Sequence, residues 1–174
     1  MNVWEEGDEK VGMKTPRDVF LYELGLTRDL EQAGDEMLSA IARRIHNEDL
    51  ARLMHEQEES RNRHLADFDS CTTAFGARPL QTSSPMVGAL RDRFQASLAL
   101  DPSAEALDLF VLGTVLRFMY LTIASYSELI DLAGLMGERE CERMFRAIAT
   151  DNQEHLAKIQ KQGYEMTQAI MAFA

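Results

Sequence analysis

The sequence predicts an all-α protein: an up-down four-helix bundle made of two helical hairpins, joined by a long crossover that carries a short extra helix. Three observations predict it. Gly and Pro are scarce, at 10 and 4 of 174 residues, while Leu, Ala, Glu, Arg and Met are frequent, a composition that favours helix. Apolar residues recur with the 3.6-residue period over four long stretches. The pattern is also written twice. His64 and His155 lie 91 residues apart, and the same shift sets Leu24 on Val115, Leu30 on Leu121, Leu38 on Leu129, Ile41 on Leu132, Leu65 on Leu156 and Phe68 on Ile159. A chain of this length fits one domain with a single core. That domain is expected over residues 15–174, after a disordered acidic tail at 1–14.

Thr15-Pro16-Arg17-Asp18 opens the first helix with a capping hydroxyl, a proline at the first helical position and an acid in the first turn. The helix is expected over 16–45, with Phe20, Leu24, Thr27, Glu31, Gly34, Leu38, Ile41 and Ile45 facing inward. Glu31 thus stands in the middle of an apolar face. Asn47-Glu48-Asp49 restarts the chain as helix two, expected to reach a C-cap at Gly76. The turn near His46 is too short for anything but an antiparallel neighbour. The inward stripe of helix two reads Leu50, Met54, Gln57, Arg61, His64, Phe68 and Phe75, apolar at the ends and polar at the centre.

Pro79, Pro85 and the run Thr82-Ser83-Ser84 mark a connection, with a short helix expected at 86–98 (Met86, Leu90, Phe94 and Leu98 on one side). The connection is long enough to cross the bundle and set helix three parallel to helix two, as in ferritin-like bundles. Asp101-Pro102-Ser103-Ala104-Glu105 is another capped start. Helix three, through Met136, is the most apolar in the chain, but Asp108, Arg117, Glu128 and Asp131 interrupt any run of about twenty residues, so no membrane span is expected. It reads as buried, partly against a second subunit, and a homodimer is expected. Gly137 ends it. Helix four runs from about 138 into 166–171, with Cys141, Phe145, Ile148, Asn152, His155, Ile159, Met166 and Ile170 inward. Its centre is polar again.

A net charge of −11 argues against a nucleic-acid partner, since phosphate backbones are gripped by Lys and Arg; it reads as a solubility device. The acidic start has no apolar h-region and is not a signal peptide. A cytoplasmic protein is expected. Cys71 and Cys141 fall on apolar faces and are expected as buried, reduced thiols, the alternatives being a disulfide or a reactive thiol. The ten methionines read as fillers of irregular core gaps, and the outward members of Glu56-Gln57-Glu58-Glu59 as a solvated face. There is no Gly-rich phosphate loop, nucleophile elbow or Cys-x-x-Cys pair, so cofactor-free hydrolysis and nucleotide chemistry have no support.

The polar interruptions gather at one level: Glu31 on helix one, Arg61 and His64 on helix two, Thr122 on helix three, Asn152 and His155 on helix four. A ferritin-like di-metal site needs a Glu from each of two helices and Glu-x-x-His from each of the others. The carboxylates neutralise the metal charge and the imidazoles complete the shell. On that template Glu31 and both histidines are in position. Arg61, Thr122 and Asn152 stand where three carboxylates belong.

The run Met13-Lys14-Thr15-Pro16-Arg17-Asp18-Val19-Phe20 resembles the opening of the YciE/YciF-type stress proteins, a ferritin-like family. Glu31 matches that family's helix-one acid. Gln57-Glu58-Glu59-Ser60-Arg61 is similar to a weakened form of its His-Leu-Glu-Glu-Thr motif, with Glu59 retained and Ser60 replacing the second acid. Ile123-Ala124-Ser125-Tyr126, and Leu132-Ala133 followed by Gly137, are similar to its helix three. The resemblance covers roughly 13–159 in short motifs. It also departs from the family pattern. The helix-three acids fall at Met119 and Thr122, and the helix-four acid cluster is reduced to Asp151 with Asn152. Setting His55 on the motif's histidine instead puts Gln57 and Glu58 at the acid positions, so the helix-two register stays open between His55/Glu58 and Glu59/His64.

Two functions from different classes follow. The resemblance implies a stress-associated ferritin-like bundle; with a degenerate di-metal centre it would be non-catalytic, hold no cofactor and serve a structural or interaction role. Arg61 is then expected to pair with Glu31, and the histidines to bond to Asn152 and Thr122. The alternative is a di-iron or di-manganese carboxylate protein that binds or oxidises iron, with Glu31, Glu59, His64, Asp151 and His155 as metal ligands; three such ligands also suffice for zinc. The missing carboxylates at Thr122 and Asn152 favour the first.

Overall fold

Helix α1 (Pro16–Ala42) begins with a reciprocal cap: the Thr15 hydroxyl accepts the Asp18 N–H at 3.2 Å, and the Asp18 carboxylate accepts the Thr15 N–H at 2.9 Å. It ends three residues short of the expected Ile45. The buried carboxylate of Asp108 intercepts the N–H groups of His46 and Asn47, at 2.9 and 2.8 Å, and draws the chain out of helical geometry. Asn47 then caps α2 (Glu48–Ala74), its side chain accepting the Leu50 N–H at 2.9 Å. After α3 (Pro85–Leu98) comes α4 (Ala104–Met136), capped by Ser103 and stopped by Gly137 in the left-handed region, φ 78°. The last helix is α5 (Arg139–Phe173). The structure, a computed structural model, describes residues 13–74 and 84–173. The expected tail before Met13, the inward Phe75, the Gly76 cap, Pro79 and the Thr82-Ser83 pair lie outside them.

Helices α1, α2, α4 and α5 form the bundle, with α3 packed across α1 and α4. Contacts fix the directions. Arg28 meets Asp69 and Ser39 meets Glu58, so α1 and α2 are antiparallel. Glu31 meets Tyr126 while Gly34 meets Phe118, so α1 and α4 are antiparallel as well. This leaves α4 parallel to α2, the arrangement a long crossover produces. Every stripe position expected inward on α1, α2 and α5 is buried among the described residues, apart from the half-buried Ile45 and Ile170 near helix ends.

The core has two apolar clusters. One is built around Leu30, Leu38, Leu50, Val115, Phe118 and Ile159, the other around Phe20, Leu24, Phe68, Tyr126, Leu129 and Phe145. The polar residues singled out above lie between them. At Gly34 the backbone of α1 approaches α4 so closely that a Cβ would collide with the Phe118 ring. Helix α4 is long and apolar enough to cross a membrane by length and composition, yet it packs against α1, α3 and α5.

The cysteines correct the expectation of reduced thiols. Cys71 and Cys141 form a disulfide between α2 and α5. The antiparallel register of those helices brings their Cα atoms to 6.0 Å, within the ordinary range for such a bond.

Candidate functional site

The polar layer divides into two groups. In the first, Glu31 of α1 accepts a hydrogen bond from the Tyr126 hydroxyl of α4 at 2.7 Å. Beside it, Arg61 of α2 reaches Asp35 of α1 through Nε and Nη2, each 3.2 Å from the same carboxylate oxygen. The guanidinium carbon lies 6.0 Å from the centre of the Phe118 ring. In the second group, Ser60 donates a hydrogen bond to Asp151 of α5. His64 Nε2 stands 3.3 Å from the same carboxylate oxygen and 3.2 Å from Ser60 Oγ. His155 Nε2 lies 3.9 Å from the other oxygen of Asp151. The His64 ring meets Tyr126 edge-on, centroids 6.4 Å apart, and joins the two groups.

Burial sets the protonation. It pushes the Glu31 carboxyl up to about 7, against the pull of the Tyr126 hydrogen bond and the Arg61 charge. It also pushes Tyr126 well up, with help from Glu31. Desolvation lowers His64 and His155 despite the neighbouring Asp151. Asp151 itself feels partial burial as an upward push, but the Ser60 hydrogen bond and the two imidazoles outweigh it and hold the carboxyl below its ordinary value. Near neutral pH the layer therefore holds neutral imidazoles, an ionised Asp151 and a Glu31 close to its midpoint.

Several expected pairings are corrected. Arg61 pairs with Asp35, one turn beyond Glu31, which instead accepts from Tyr126 through Oε1. His64 turns to Ser60 and Asp151 rather than to Asn152 or Thr122. Thr122 is committed to its own helix, donating to the carbonyls of Phe118 and Met119 at 3.2 and 2.9 Å, a common use of a hydroxyl inside a helix.

Of the residues considered as metal ligands, His64, Asp151 and His155 come together, and Glu31 lies in the neighbouring group. Glu59 lies on the outer face of α2 beside the exposed His55, 3.7 Å away. Glu58 accepts from Ser39 at 3.0 Å. Helix two thus turns Gln57, Ser60, Arg61 and His64 inward. Sequence reasoning missed Tyr126 and Asp35 as members of the layer. The signal was available, because the 91-residue shift that relates the histidines also relates Asp35 to Tyr126.

Two chemistries can be tested against this arrangement. Ser60, His64 and Asp151 do not form a hydrolytic relay. Such a relay needs the acid on one imidazole nitrogen and the hydroxyl on the other, whereas both groups here face Nε2, and Nδ1 has no hydrogen-bond partner. A di-metal centre does not fit the donors either. Each inward carboxylate is engaged: Glu31 by Tyr126, Asp35 by Arg61, Asp151 by Ser60 and His64. The buried atoms of the layer without a protein partner are mixed: Glu31 Oε2, Gln57 Oε1 and the Nδ1 atoms of His64 and His155 could face a cation, whereas Arg61 Nη1 and Asn152 Nδ2 are donors that none can satisfy. Among the described residues no group of three or more His, Cys, Asp and Glu is arranged to hold a metal ion.

Away from the layer, a groove of about 670 Å³ between α1 and α3 is lined by Arg43, Arg44 and Arg91. Arg43 and Arg44 follow the carbonyl end of α1 and complement its negative pole, which accounts for them without a ligand.

A family model described as "Domain of unknown function (DUF892)" matches residues 15–172. The fold is similar to that of the E. coli stress protein YciF, with 20% identity, a TM-score of 0.85 and coverage of 90% of this chain and 99% of that one. It is also similar to YcfI, "a putative structural protein from Rhodopseudomonas palustris", with 18% identity, a TM-score of 0.83 and coverage of 88% and 98%. A protein from Xanthomonas campestris pv. campestris shares 19% identity over 91% of this chain and 97% of its own, with a TM-score of 0.74. No curated protein matches the sequence.

Proposed function

The chain belongs to the DUF892 family, and from that premise we propose that it is a non-catalytic, stress-associated bundle protein with a structural or interaction role. Its di-metal centre has degenerated into a polar packing layer and holds no cofactor. The observation that carries this reading is Arg61. A guanidinium that is 1% exposed occupies the level at which a ferritin-like centre binds its metals, and it supplies a fixed positive charge beside Glu31 and Asp35. A second cation there would face that charge across a medium that screens poorly.

The stress association is carried over from YciF and the structural role from YcfI; the shared fold supports both. Compartment and partners follow the same reading: a cytoplasmic homodimer joined partly through α4, on which Phe110, Tyr120 and Leu135 are exposed apolar residues. The net charge of −11 speaks against nucleic acid as a partner.

A second reading has one observation in its favour, the approach of His64 and His155 to Asp151. It makes the chain a protein that binds or oxidises iron through Glu31, His64, Asp151 and His155, the outward-facing Glu59 being left out, with iron, manganese or zinc as the metal. Thermal unfolding of Glu31→Ala against the parent chain, with and without added iron or manganese, separates the two. The proposal expects the same loss of stability in every condition. A loss that appears only in metal-loaded protein contradicts it.

A further inference from the structure

The four seams of the bundle are not alike. The seam between α1 and α4 is closely packed, with Gly34 admitting the Phe118 ring. The seam between α2 and α5, which joins one hairpin to the other, is the sparsest of the four. Polar rungs cross it alongside the apolar residues that α2 and α5 give to the two core clusters. From one end to the other they are Asn47 with Gln162 at 3.2 Å, Glu56 with Lys158 at 3.7 Å, and Ser60 and His64 with Asp151. The Phe68 and Phe145 rings follow at 5.6 Å, and last comes the disulfide between Cys71 and Cys141.

We propose that the Cys71–Cys141 pair is a redox clasp that fastens α2 to α5 and, when opened, lets this seam part while the α1–α4 seam stays closed. Polar rungs between helices contribute little net stability, because each exchanges a hydrogen bond with water for one within the protein. A covalent tie across residues 70 apart in sequence restrains the open state by limiting how far the two helices separate. The position of the clasp suits reversible chemistry. Cys141 lies in the first turn of α5, which begins at Arg139 just after the Gly137 stop of α4. Both residues are buried, at 3% and 6% exposure. Fraying of this first turn, the least protected part of a helix, brings Cys141 Sγ within reach of an attacking thiolate.

The reaction is ordinary thiol–disulfide exchange. A thiolate of an external dithiol attacks one sulfur and displaces the other cysteine as a thiolate. The second thiol of the reagent then resolves the mixed disulfide. Two electrons and two protons pass to the protein, Cys71 and Cys141 become thiols, and the reagent leaves as its own disulfide. The parted seam uncovers Phe68, Tyr126 and Phe145 and admits solvent to Ser60, His64 and Asp151.

Amide hydrogen exchange on the full chain tests this, comparing air-oxidised protein, the same protein after dithiothreitol, and Cys71→Ser. On reduction, exchange is expected to accelerate by roughly tenfold or more in the second half of α2 and the first half of α5, with α1 and α4 unchanged where they pack together. Removal of the dithiol and addition of oxidised glutathione restore the original pattern, and Cys71→Ser matches the reduced protein and ignores the dithiol. Equal exchange in both redox states overturns the proposal. Uniform acceleration in all four bundle helices does so too, since that is a global loss of stability. Cysteines that stay as free thiols under oxidised glutathione overturn it as well.

Discussion

Ser60 donates a hydrogen bond to Asp151, and the two residues hold equivalent places in the two hairpins, 91 residues apart in sequence. A strictly repeated pair of hairpins would set like against like at this position. Two carboxylates would repel each other or call for a cation between them. Ser on one hairpin and Asp on the other give a donor facing an acceptor, and the neutral His64 completes the group. This asymmetry lets the layer pack without a metal ion.

Asp151→Ala should therefore destabilise the fold. It removes the ionised acceptor from Ser60 Oγ and the neighbour of His64 Nε2 together, leaving the two only each other at 3.2 Å, and a hydrogen bond to a charged group is worth about 1.5–3 kcal/mol. Ser60→Ala, which leaves Asp151 near both imidazoles, should cost less. Urea unfolding of the two variants checks the order; an equal loss or the reverse order counts against the donor–acceptor account.

Glu31 gives the fold a pH dependence of definite sign. Its folded pKa of about 7 lies above the ordinary 4.5. The group thus contributes stability that is complete below the lower value and is lost as the pH rises through the higher one. Glu31→Gln keeps an acceptor for Tyr126 and cannot ionise. Relative to the parent, this variant should gain about 1–3 kcal/mol between about pH 5 and pH 8. His64 and His155 act in the opposite direction. Their values are depressed from 6.5, so their contribution is present above that value and is lost as the pH falls through the folded ones. Both proteins should share this acid limb. Stability curves that stay parallel from acid to alkaline pH contradict the assignment of Glu31.

Two glycines should respond in opposite directions. A methyl group at Gly34 runs into the Phe118 ring, and overpacking of this kind costs about 1–3 kcal/mol. At Gly88 of α3 an added Cβ meets nothing within 4 Å, so Gly88→Ala should gain about 0.5–1 kcal/mol from helix propensity alone. Thermal unfolding of the two variants provides the comparison.

Much of this fold was legible in the sequence because helical periodicity and capping are local. Thr15 with Asp18, the run Asp101 to Glu105 and Gly137 marked helix ends, and the stripes of α1, α2 and α5 proved to be the buried faces. The end of α1 was not legible, since Asp108, far along the chain, takes the N–H groups that would have continued it. The level of the polar layer could be read, but the pairings within it could not. They depend on side-chain reach across the bundle: Tyr126 occupies an apolar-looking stripe yet presents its hydroxyl to Glu31, which releases Arg61 to the half-buried Asp35. The disulfide was missed for a related reason. Periodicity places Cys71 and Cys141 on inward faces, and only the register between α2 and α5 brings them together.

The measurement that bears most directly on the central claim is metal content per chain, by elemental analysis of protein made in iron- and manganese-supplemented medium without chelators. With Arg61 in the layer and Thr122 and Asn152 in place of carboxylates, the account predicts a sub-stoichiometric amount and no gain in thermal stability on adding either metal. About two iron or manganese ions per chain, with a matching rise in thermal stability, would contradict it.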